Sequence, residues 1–261
     1  MEDKKIKIIC ADDEQGIHDG LDRMVAEINK SEEFFKLQII EHFYNTDDLK
    51  DFLQDGNNEI DILLLDIDFK GSESGIEALE VIRNLEPSLN ITLLSAYDDT
   101  GLIIPANKKY NVKYLKKPIS SNELLIHINE IKEQQDKYDK LKSDLKVYED
   151  WINHIEQEEE AKIPKGLTEL ITEIFNNITF TIQALKDLIV CSDYRVYNTL
   201  KIIDLKLPTT NGMYEKSIKG KVKNYDKIKE YRFSQKGRIF VSYQTLKPVV
   251  VCIDQNHRIF A

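Results

Sequence analysis

The stretch DILLLDID, from Asp61 to Asp68, decides the fold of the first half of this chain. Its apolar run does not alternate with polar residues, which is typical of a central strand in a parallel sheet that helices cover on both faces. Asp66 and Asp68 stand at the end of this run, although charged side chains are seldom buried without a partner. These two residues therefore indicate a functional site at one edge of a sheet.

Residues 1–130 repeat the same pattern, in which short apolar strands alternate with amphipathic helical segments. The five predicted strands are KIKIIC, LQIIEHF, DILLLDI, ITLLSAY and VKYLKKP. We expect Thr46 to cap the second helix and Ser121 to open the fifth. The fourth helix contains Gly101 and Pro105, so we expect it to be short or distorted. The pattern predicts an α/β domain with a doubly wound, five-stranded parallel sheet, the flavodoxin-like arrangement.

An apolar stripe continues beyond this domain at alternating steps of three and four residues. Its members are Tyr138, Leu141, Leu145, Tyr148, Ile152 and Ile155, and Ile131 extends the series back by one heptad. A narrow stripe favours a two-stranded coiled coil, which would make the protein a homodimer through residues 131–159. A helix packed on its own chain is the alternative. We assign residues 131–163 to this linker helix, which ends in the acidic stretch EQEEE before Pro164.

Composition limits the classes of protein to consider. The chain has 261 residues, of which 41% are hydrophobic and 31% charged, as in a globular protein of about two domains. No apolar run reaches the roughly 20 residues that span a bilayer, and the N-terminus lacks a signal-peptide pattern. We therefore expect a cytoplasmic protein with no membrane partner. The three cysteines have no CxxC spacing and no paired histidine, which argues against a zinc site or disulfides and favours buried, reduced thiols.

Residues 164–261 differ from the first domain in pattern and charge. Two amphipathic segments, GLTELITEIFNNITFTIQALKDLIV and DYRVYNTLKIIDLKL, precede the short strands KIKEYRFSQ, GRIFVSYQ and PVVVCIDQ. This order predicts a smaller α+β domain of two helices followed by an antiparallel meander. From Val196 onward there are 13 Lys and Arg against 5 Asp and Glu, a net charge of +8, while the first 195 residues have −18. The basic end favours a polyanionic partner.

Polar residues follow four of the predicted strands in the first domain. They are Asp12 and Asp13, Asp66, Ser95 and Lys117. Because the carboxyl ends of parallel strands meet at one edge, we expect these groups to lie together. Three carboxylates there would repel one another unless a cation such as Mg²⁺ neutralised them or one stayed protonated. A carboxylate can attack phosphorus, and a metal ion, a lysine ammonium and a hydroxyl can stabilise the phosphoryl oxygens, so this set of groups suits phosphoryl transfer.

The motifs ADDE, LLLDID, LLSAY and YLKKP, in this order and at these separations, resemble the receiver domain of bacterial two-component response regulators over about residues 4–130. The resemblance implies that a histidine kinase phosphorylates Asp66 with Mg²⁺ as cofactor. It implies that Asp13 binds the metal directly, that Asp12 acts beside it or through its water, and that Asp68 offers its backbone carbonyl. It also assigns Ser95, Lys117 and Tyr114 to the family's hydroxyl residue, its lysine and its switch aromatic.

The sequence departs from this family after the acceptor. Lys70 stands where the family commonly has proline, and Gly75 comes one position later than the usual glycine. The loop KGSES is therefore altered or longer, and Tyr97 and the acidic Asp68 flank the site. A degenerate receiver that is never phosphorylated is the alternative.

The second domain resembles the RelE-like toxin family, small ribosome-associated ribonucleases with a helical hairpin on an antiparallel sheet. The resemblance covers about residues 168–261 through GMYEKSIKG, KEYRFSQKGRIFVSY and VVVCIDQNHRIF. It implies an RNA-facing surface made by Arg232, Arg238, His257 and Arg258, with further contacts from Lys219, Lys221 and Lys223. Phe260 stands near a position where active relatives often have tyrosine. Binding of RNA or DNA, a ribonuclease regulated by the receiver, and a protein-interaction adaptor are the three alternatives for this domain.

Overall fold

The computed structural model describes residues 4–55, 59–70, 73–96, 100–154, 164–205, 215–218, 222 and 224–255. The chain divides into two compact units, the first extending to Glu133 and the second beginning at Gln134. Within the described ranges, every helix is too short or too polar to cross a membrane.

The first unit alternates strands and helices without exception in its described part. The elements are β1 (Lys4–Ala11), α1 (Gln15–Ser31), β2 (Phe35–Phe43), α2 (Thr46–Gln54), β3 (Ile62–Asp66), α3 (Gly75–Leu85), β4 (Asn90–Ser95), α4 (Thr100–Tyr110), β5 (Lys113–Lys116) and the first part of α5 (Ser121–Lys146). The strands are all parallel, in the order β2-β1-β3-β4-β5. This confirms the predicted sheet. The central place of β3 explains its unbroken apolar run, since Ile62 to Leu65 are fully buried.

Local hydrogen bonds determine where the helices of this unit begin. The prediction that Thr46 caps α2 is wrong by one residue, because the side-chain oxygen of Asn45 accepts a hydrogen bond from the Asp48 N–H at 2.8 Å. Helix α5 begins at Ser121, as predicted. Of the expectation that α4 is short or distorted, the first part is wrong, because the helix continues for 11 residues through Pro105. Its buried residues Ala106 and Tyr110 belong to the core of the unit and hold the helix in place.

The second unit places helices beside a mainly antiparallel sheet. After the second part of α5 come α6 (Glu149–His154), α7 (Lys165–Ile174), β6 (Thr179–Phe180), α8 (Ile182–Val190), α9 (Arg195–Asp204), β7 (Glu215–Ser217), β8 (Ile228–Arg232), β9 (Arg238–Ser242) and β10 (Val249–Asp254). The strand order is β6-β10-β9-β8-β7, with β6 parallel to β10 and the other pairs antiparallel. Strands β8 to β10 form the antiparallel meander that the sequence predicts.

The long amphipathic segment that follows Pro164 is not one helix. It divides into α7, β6 and α8, because the N–H groups of Thr179 and Thr181 bond to the carbonyl oxygens of Pro248 and Val250. The apolar period continues across the break, which is why the sequence pattern does not reveal it. The added strand β6 extends the sheet beyond β10.

The apolar stripe of α5 and α6 packs inside the second unit. Tyr138, Leu141, Leu145 and Ile152 are at most 1% exposed, and they share one core with residues of α8 and α9. The interpretation of this stripe as an intermolecular coiled coil is therefore wrong for these residues, since their own chain covers them. The side chains that were predicted to form a homodimer interface through residues 131–159 are thus buried within one chain. Ile155 lies outside the residues that the structure describes.

Polar contacts hold the same helix against the end of α8. The hydroxyl of Tyr138 donates a hydrogen bond to the carbonyl oxygen of Cys191 at 2.7 Å, and Lys142 Nζ donates to the same oxygen at 2.7 Å. A lysine ammonium at a helix C-terminus satisfies a carbonyl that has no partner within the helix and complements the helix dipole. From Gln134 onward α5 is thus part of the second unit and not a separate linker.

Candidate functional site

The carboxyl edge of the first sheet gathers the acidic residues that the sequence singles out. Asp12 and Asp13 follow β1, and Asp66 ends β3. Carboxylate oxygens of these three residues all lie within 4.8 Å of one another. Asp12 and Asp66 are buried, with 0% and 3% of their surface exposed. Ser95 ends the neighbouring strand β4 and is 1% exposed.

Lys117 provides a positive charge at the centre of this cluster. Its Nζ lies 2.7 Å from Asp12 Oδ2 and 2.7 Å from Asp66 Oδ1. Its backbone N–H donates to the Ser95 carbonyl oxygen at 2.7 Å, which fixes the end of β5 beside β4. Lys116 is exposed, as strand alternation predicts. The Lys117–Pro118 peptide bond is cis.

Burial and charge change the protonation equilibria at this site. Burial raises the pKa of Asp66 to about 6; the hydrogen bond from Lys117 acts in the opposite direction, and the Asp12 carboxylate raises it again. Burial by itself would lower the pKa of Lys117, but its hydrogen bonds to Asp12 and Asp66 outweigh that effect and raise it. Lys117 is therefore charged at neutral pH and offsets part of the negative charge.

The donor set fits Mg²⁺. It consists of carboxylate oxygens, which this hard cation prefers. Both carboxylate oxygens of Asp12 have protein partners. Its Oδ1 accepts the Glu14 N–H at 3.0 Å, and its Oδ2 lies 2.7 Å from Lys117 Nζ. Asp66 also meets Lys117, through its Oδ1 at 2.7 Å, so the half-buried Asp13 offers an ion the most open of the three carboxylates. The Asp68 N–H donates to the Asp66 carboxylate, and the Asp68 side chain is exposed.

Lys70, four residues after Asp66, connects this loop to the residues that follow β1. Its backbone N–H donates to Asp13 Oδ2 at 3.1 Å, and its Nζ lies 2.9 Å from Glu14 Oε1. Proline has no N–H and could not make the first of these bonds. The altered loop thus contacts the acidic residues after β1. Gly71, Ser72 and Tyr97 lie outside the described part of the chain.

Helix α3 begins directly against the end of β3. A Cβ atom on Gly75 would lie 1.9 Å from the carbonyl oxygen of Asp66, so only glycine permits this approach. Ser74 caps the helix in a reciprocal capping box with Glu77. Tyr114, on β5, is half-buried and packs against the core of the unit.

The two described arginines predicted for an RNA-facing surface lie at the strand ends that flank the β8–β9 turn. Arg232 and Arg238 face each other across β8 and β9. The Nη1 of Arg238 donates to the carbonyl oxygens of Ser234, Gln235 and Gly237 at 3.2, 3.0 and 2.9 Å, and its Nε lies 3.1 Å from Glu230 Oε1. Arg232 Nη2 donates to the Gln235 carbonyl at 3.1 Å. Arg238 is 7% exposed, so its guanidinium closes the β8–β9 turn instead of facing solvent.

The remaining residues predicted for this surface cannot be placed beside the two arginines. His257, Arg258, Lys219, Lys221, Lys223 and Phe260 all lie outside the described residues.

The sequence pattern does not reveal a second group of side chains that could hold a metal ion, Cys10, His18 and His42. They come from β1, α1 and β2, so no local spacing motif unites them. One signal was available, because His18 falls on the face of α1 that buries Leu21, Val25 and Ile28. The three cysteines of the chain are buried and free, as predicted.

The family model described as the response regulator receiver domain matches residues 8–129. Among solved structures, a CheY-like receiver domain protein from Methanospirillum hungatei JF-1 is 19% identical, with 51% of this chain and 99% of that chain covered and a TM-score of 0.42. A receiver domain protein from Clostridium thermocellum is 23% identical over 50% and 97% of the two chains, with a TM-score of 0.43. A search of curated proteins found no match. The match to the family model identifies residues 8–129 as a response regulator receiver domain.

Proposed function

We propose that the protein is a response regulator that a histidine kinase phosphorylates on Asp66. The supporting observation is the buried Asp66 carboxylate at the end of β3, held 2.7 Å from Lys117 Nζ and close to Asp12 and Asp13. In the reaction, an Asp66 oxygen forms a bond to phosphorus while the bond from phosphorus to the donor histidine nitrogen breaks. Receiver domains interact with histidine kinases and phosphotransfer partners, so such a kinase is the proposed partner.

The neighbouring residues divide the work of stabilising the phosphoryl group. The Lys117 ammonium neutralises charge on one phosphoryl oxygen, and the Ser95 hydroxyl donates a hydrogen bond to another. Asp13, Asp66 and the carbonyl oxygen of Asp68 would hold Mg²⁺, which supplies further positive charge when bound. Strand β4 lies between β3 and β5. Movement of Ser95 toward the phosphoryl group would therefore change the surroundings of Tyr114 on β5, and Tyr114 would move in response.

Phosphorylation by a small donor tests this proposal. Wild type, Asp66→Asn and the control Asp68→Asn are incubated with acetyl phosphate and Mg²⁺, and their intact masses are compared. We expect one phosphoryl group on wild type and on Asp68→Asn, whose side chain is exposed. We expect none on Asp66→Asn or after removal of Mg²⁺. Equal modification of wild type and Asp66→Asn would reject Asp66 as the acceptor, and an unmodified wild type would favour a degenerate receiver.

Helix α5 is the proposed route to the output domain. It is continuous from Ser121 to Lys146, and the division between the two units falls within it, after Glu133. A shift of its first part would therefore reach side chains in the core of the second unit, such as Tyr138 and Leu141. We assign the second unit as the output domain on this basis.

For the output domain we propose binding to RNA or DNA. Its support is the net charge of +8 from Val196 onward, with exposed lysines at Lys216, Lys227 and Lys236. The helices α8 and α9 beside a mainly antiparallel sheet agree with the RelE-like resemblance. The enclosed guanidinium of Arg238 favours binding through surface lysines over RelE-like cleavage.

Retention of labelled RNA and DNA at several salt concentrations distinguishes the alternatives. Phosphate contacts give an affinity that falls steeply with salt, and replacing one contacting lysine should reduce the slope by about one. We expect this for Lys236→Gln, with Lys50→Gln in the first unit as control. Absence of binding would favour a protein-interaction adaptor. Cleavage of messenger RNA on ribosomes in either phosphorylation state would support the receiver-regulated ribonuclease instead.

A further inference from the structure

A second cluster of ligand-type side chains lies next to the phosphoacceptor site but is separate from it. The cluster consists of Cys10, His18 and His42, whose sulfur and ring nitrogen atoms lie within 4.8 Å of one another. Cys10 and His18 are 0% and 1% exposed, whereas 22% of the His42 side chain is exposed. The cluster is therefore closed on the side of the sheet and reached from solvent past His42.

Strand register brings two of these residues onto one face. Cys10 of β1 lies opposite His42 of β2. This pairing depends on a register shift between Ile8 and Ile9, which pair with Ile39 and Glu41 and leave Ile40 without a partner. One extra residue reverses the faces that the rest of a strand presents, so it turns His42 toward Cys10. Such irregularities are rare in parallel pairs.

Hydrogen bonds at Nε2 of His18 and of His42 indicate which tautomers the two rings adopt. His18 Nε2 lies 2.7 Å from the carbonyl oxygen of Asp12, which can only accept, so Nε2 carries the proton. His42 Nε2 lies 3.2 Å from Asp22 Oδ1, a carboxylate that also accepts. Neutral rings with these tautomers have no proton on either Nδ1. The two Nδ1 atoms nevertheless face each other at 2.7 Å.

Two nitrogens at this distance repel unless a proton or a metal ion lies between them. Either one Nδ1 donates a hydrogen bond to the other, or both Nδ1 atoms face a metal ion. The Cys10 sulfur completes a set of one sulfur and two nitrogen donors, which suits Zn²⁺ and other borderline or soft ions and does not suit Mg²⁺. Metal-binding histidines commonly donate their outer N–H to a carbonyl or carboxylate, as His18 and His42 do here.

We propose that Cys10, His18 and His42 form a binding site for one borderline or soft transition-metal ion of the Zn²⁺ type. Bonds of about 2.0 to 2.1 Å to nitrogen in tetrahedral geometry would set the Nδ1 atoms about 3.3 Å apart. Only a small movement of His42 is needed, and β2 is an edge strand of the sheet. The metal–sulfur bond replaces the S–H bond of Cys10, and the proton leaves to solvent.

Metal content of the full-length protein tests the site. Chelator-treated protein is incubated with excess Zn²⁺ in the presence of Mg²⁺, which occupies the acidic cluster, then desalted and analysed for zinc. We expect one Zn²⁺ per chain in wild type and in Asp66→Asn, and none in His42→Gln or Cys10→Ala. His127→Gln is the matched control, because His127 is a half-buried histidine of the same unit that contacts Thr92. It should retain one ion, and Zn²⁺ should raise the Tm of wild type and of this control but not of His42→Gln.

The Asp22→Asn variant tests metal binding without disturbing the fold. Asp22 contacts His42 Nε2 and 58% of its side chain is exposed, so its replacement leaves the three ligands and the core in place. Weakening this outer bond should raise the Kd for Zn²⁺ tenfold or more, with circular dichroism unchanged. Wild type with no more zinc than His42→Gln would leave only a shared proton between the rings and overturn the proposal. Loss of zinc from Asp66→Asn would overturn it as well, because the ion would then belong to the acidic cluster.

Discussion

Gly75 is the single residue that lets α3 begin against the end of β3. Because a Cβ atom there would lie 1.9 Å from the Asp66 carbonyl oxygen, Gly75→Ala must displace either the helix or Asp66. We expect a loss of about 1 to 3 kcal/mol in the free energy of unfolding. Gly20→Ala in α1 is the control, since nothing lies within 4 Å and alanine favours helix by up to about 1 kcal/mol. Urea unfolding measures both, and equal effects would contradict the close approach.

Asp66 should also make the free energy of unfolding depend on pH. Its pKa is about 6 in the folded protein, above the roughly 3.9 of an unfolded chain. The folded state therefore binds more protons between these values, and the free energy of unfolding falls as pH rises through this range. The side-chain amide of the Asp66→Asn variant cannot ionise. In EDTA, wild type should thus lose about 2 to 3 kcal/mol relative to Asp66→Asn between pH 4 and pH 7. A difference between the two that stays constant with pH would contradict this.

Site residues differed in how far the sequence could reveal them. Asp12, Asp66 and Lys117 were predictable, because each directly follows or ends a strand of a parallel sheet and such ends share one edge. His42 was not, because its direction depends on a register shift that leaves no mark in the apolar pattern. Arg238 was predicted for a solvent-facing surface, but the hydrogen bonds of the β8–β9 turn enclose it.

Helix α5 shows what a pattern can reveal at the scale of an element. A stripe at steps of three and four residues indicates that one face is buried, but it does not identify what covers that face. In this chain α8 and α9 contribute to the same core as Tyr138 and Leu141. The helix itself was predictable, whereas its partner depended on tertiary contacts far along the chain.

Shortening a side chain of the apolar stripe distinguishes burial within one chain from burial between two chains of a dimer. Leu145 is 0% exposed and Val147 is 80% exposed, two residues apart. Leu145→Ala should lower the free energy of unfolding by about 2 to 5 kcal/mol, and Val147→Ala by less than about 0.5 kcal/mol. The midpoint should not depend on protein concentration, because the covering residues belong to the same chain. A concentration-dependent midpoint that Leu145→Ala abolishes would restore the coiled-coil interpretation.

At the scale of the whole molecule, the division between the units determines which fragments of the chain should fold by themselves. Composition and charge place the second domain at residues 164–261, because the acidic stretch and Pro164 resemble the end of a linker. The core of the second unit, however, includes Tyr138, Leu141, Leu145 and Ile152, which precede that boundary. Side chains this deeply buried contribute several kcal/mol each, which is a large share of the stability of a small domain.

Two fragments of the second unit should therefore behave differently. A fragment of residues 134–261 retains the whole described core, and we expect it to unfold cooperatively with a near-ultraviolet circular dichroism signal. A fragment of residues 164–261 lacks four core side chains and the hydroxyl and ammonium groups that bond to the Cys191 carbonyl. It should lose the near-ultraviolet signal and the cooperative transition while keeping part of its secondary structure. Cooperative unfolding of both fragments would show that the first part of the unit is dispensable, as a separate linker helix would be.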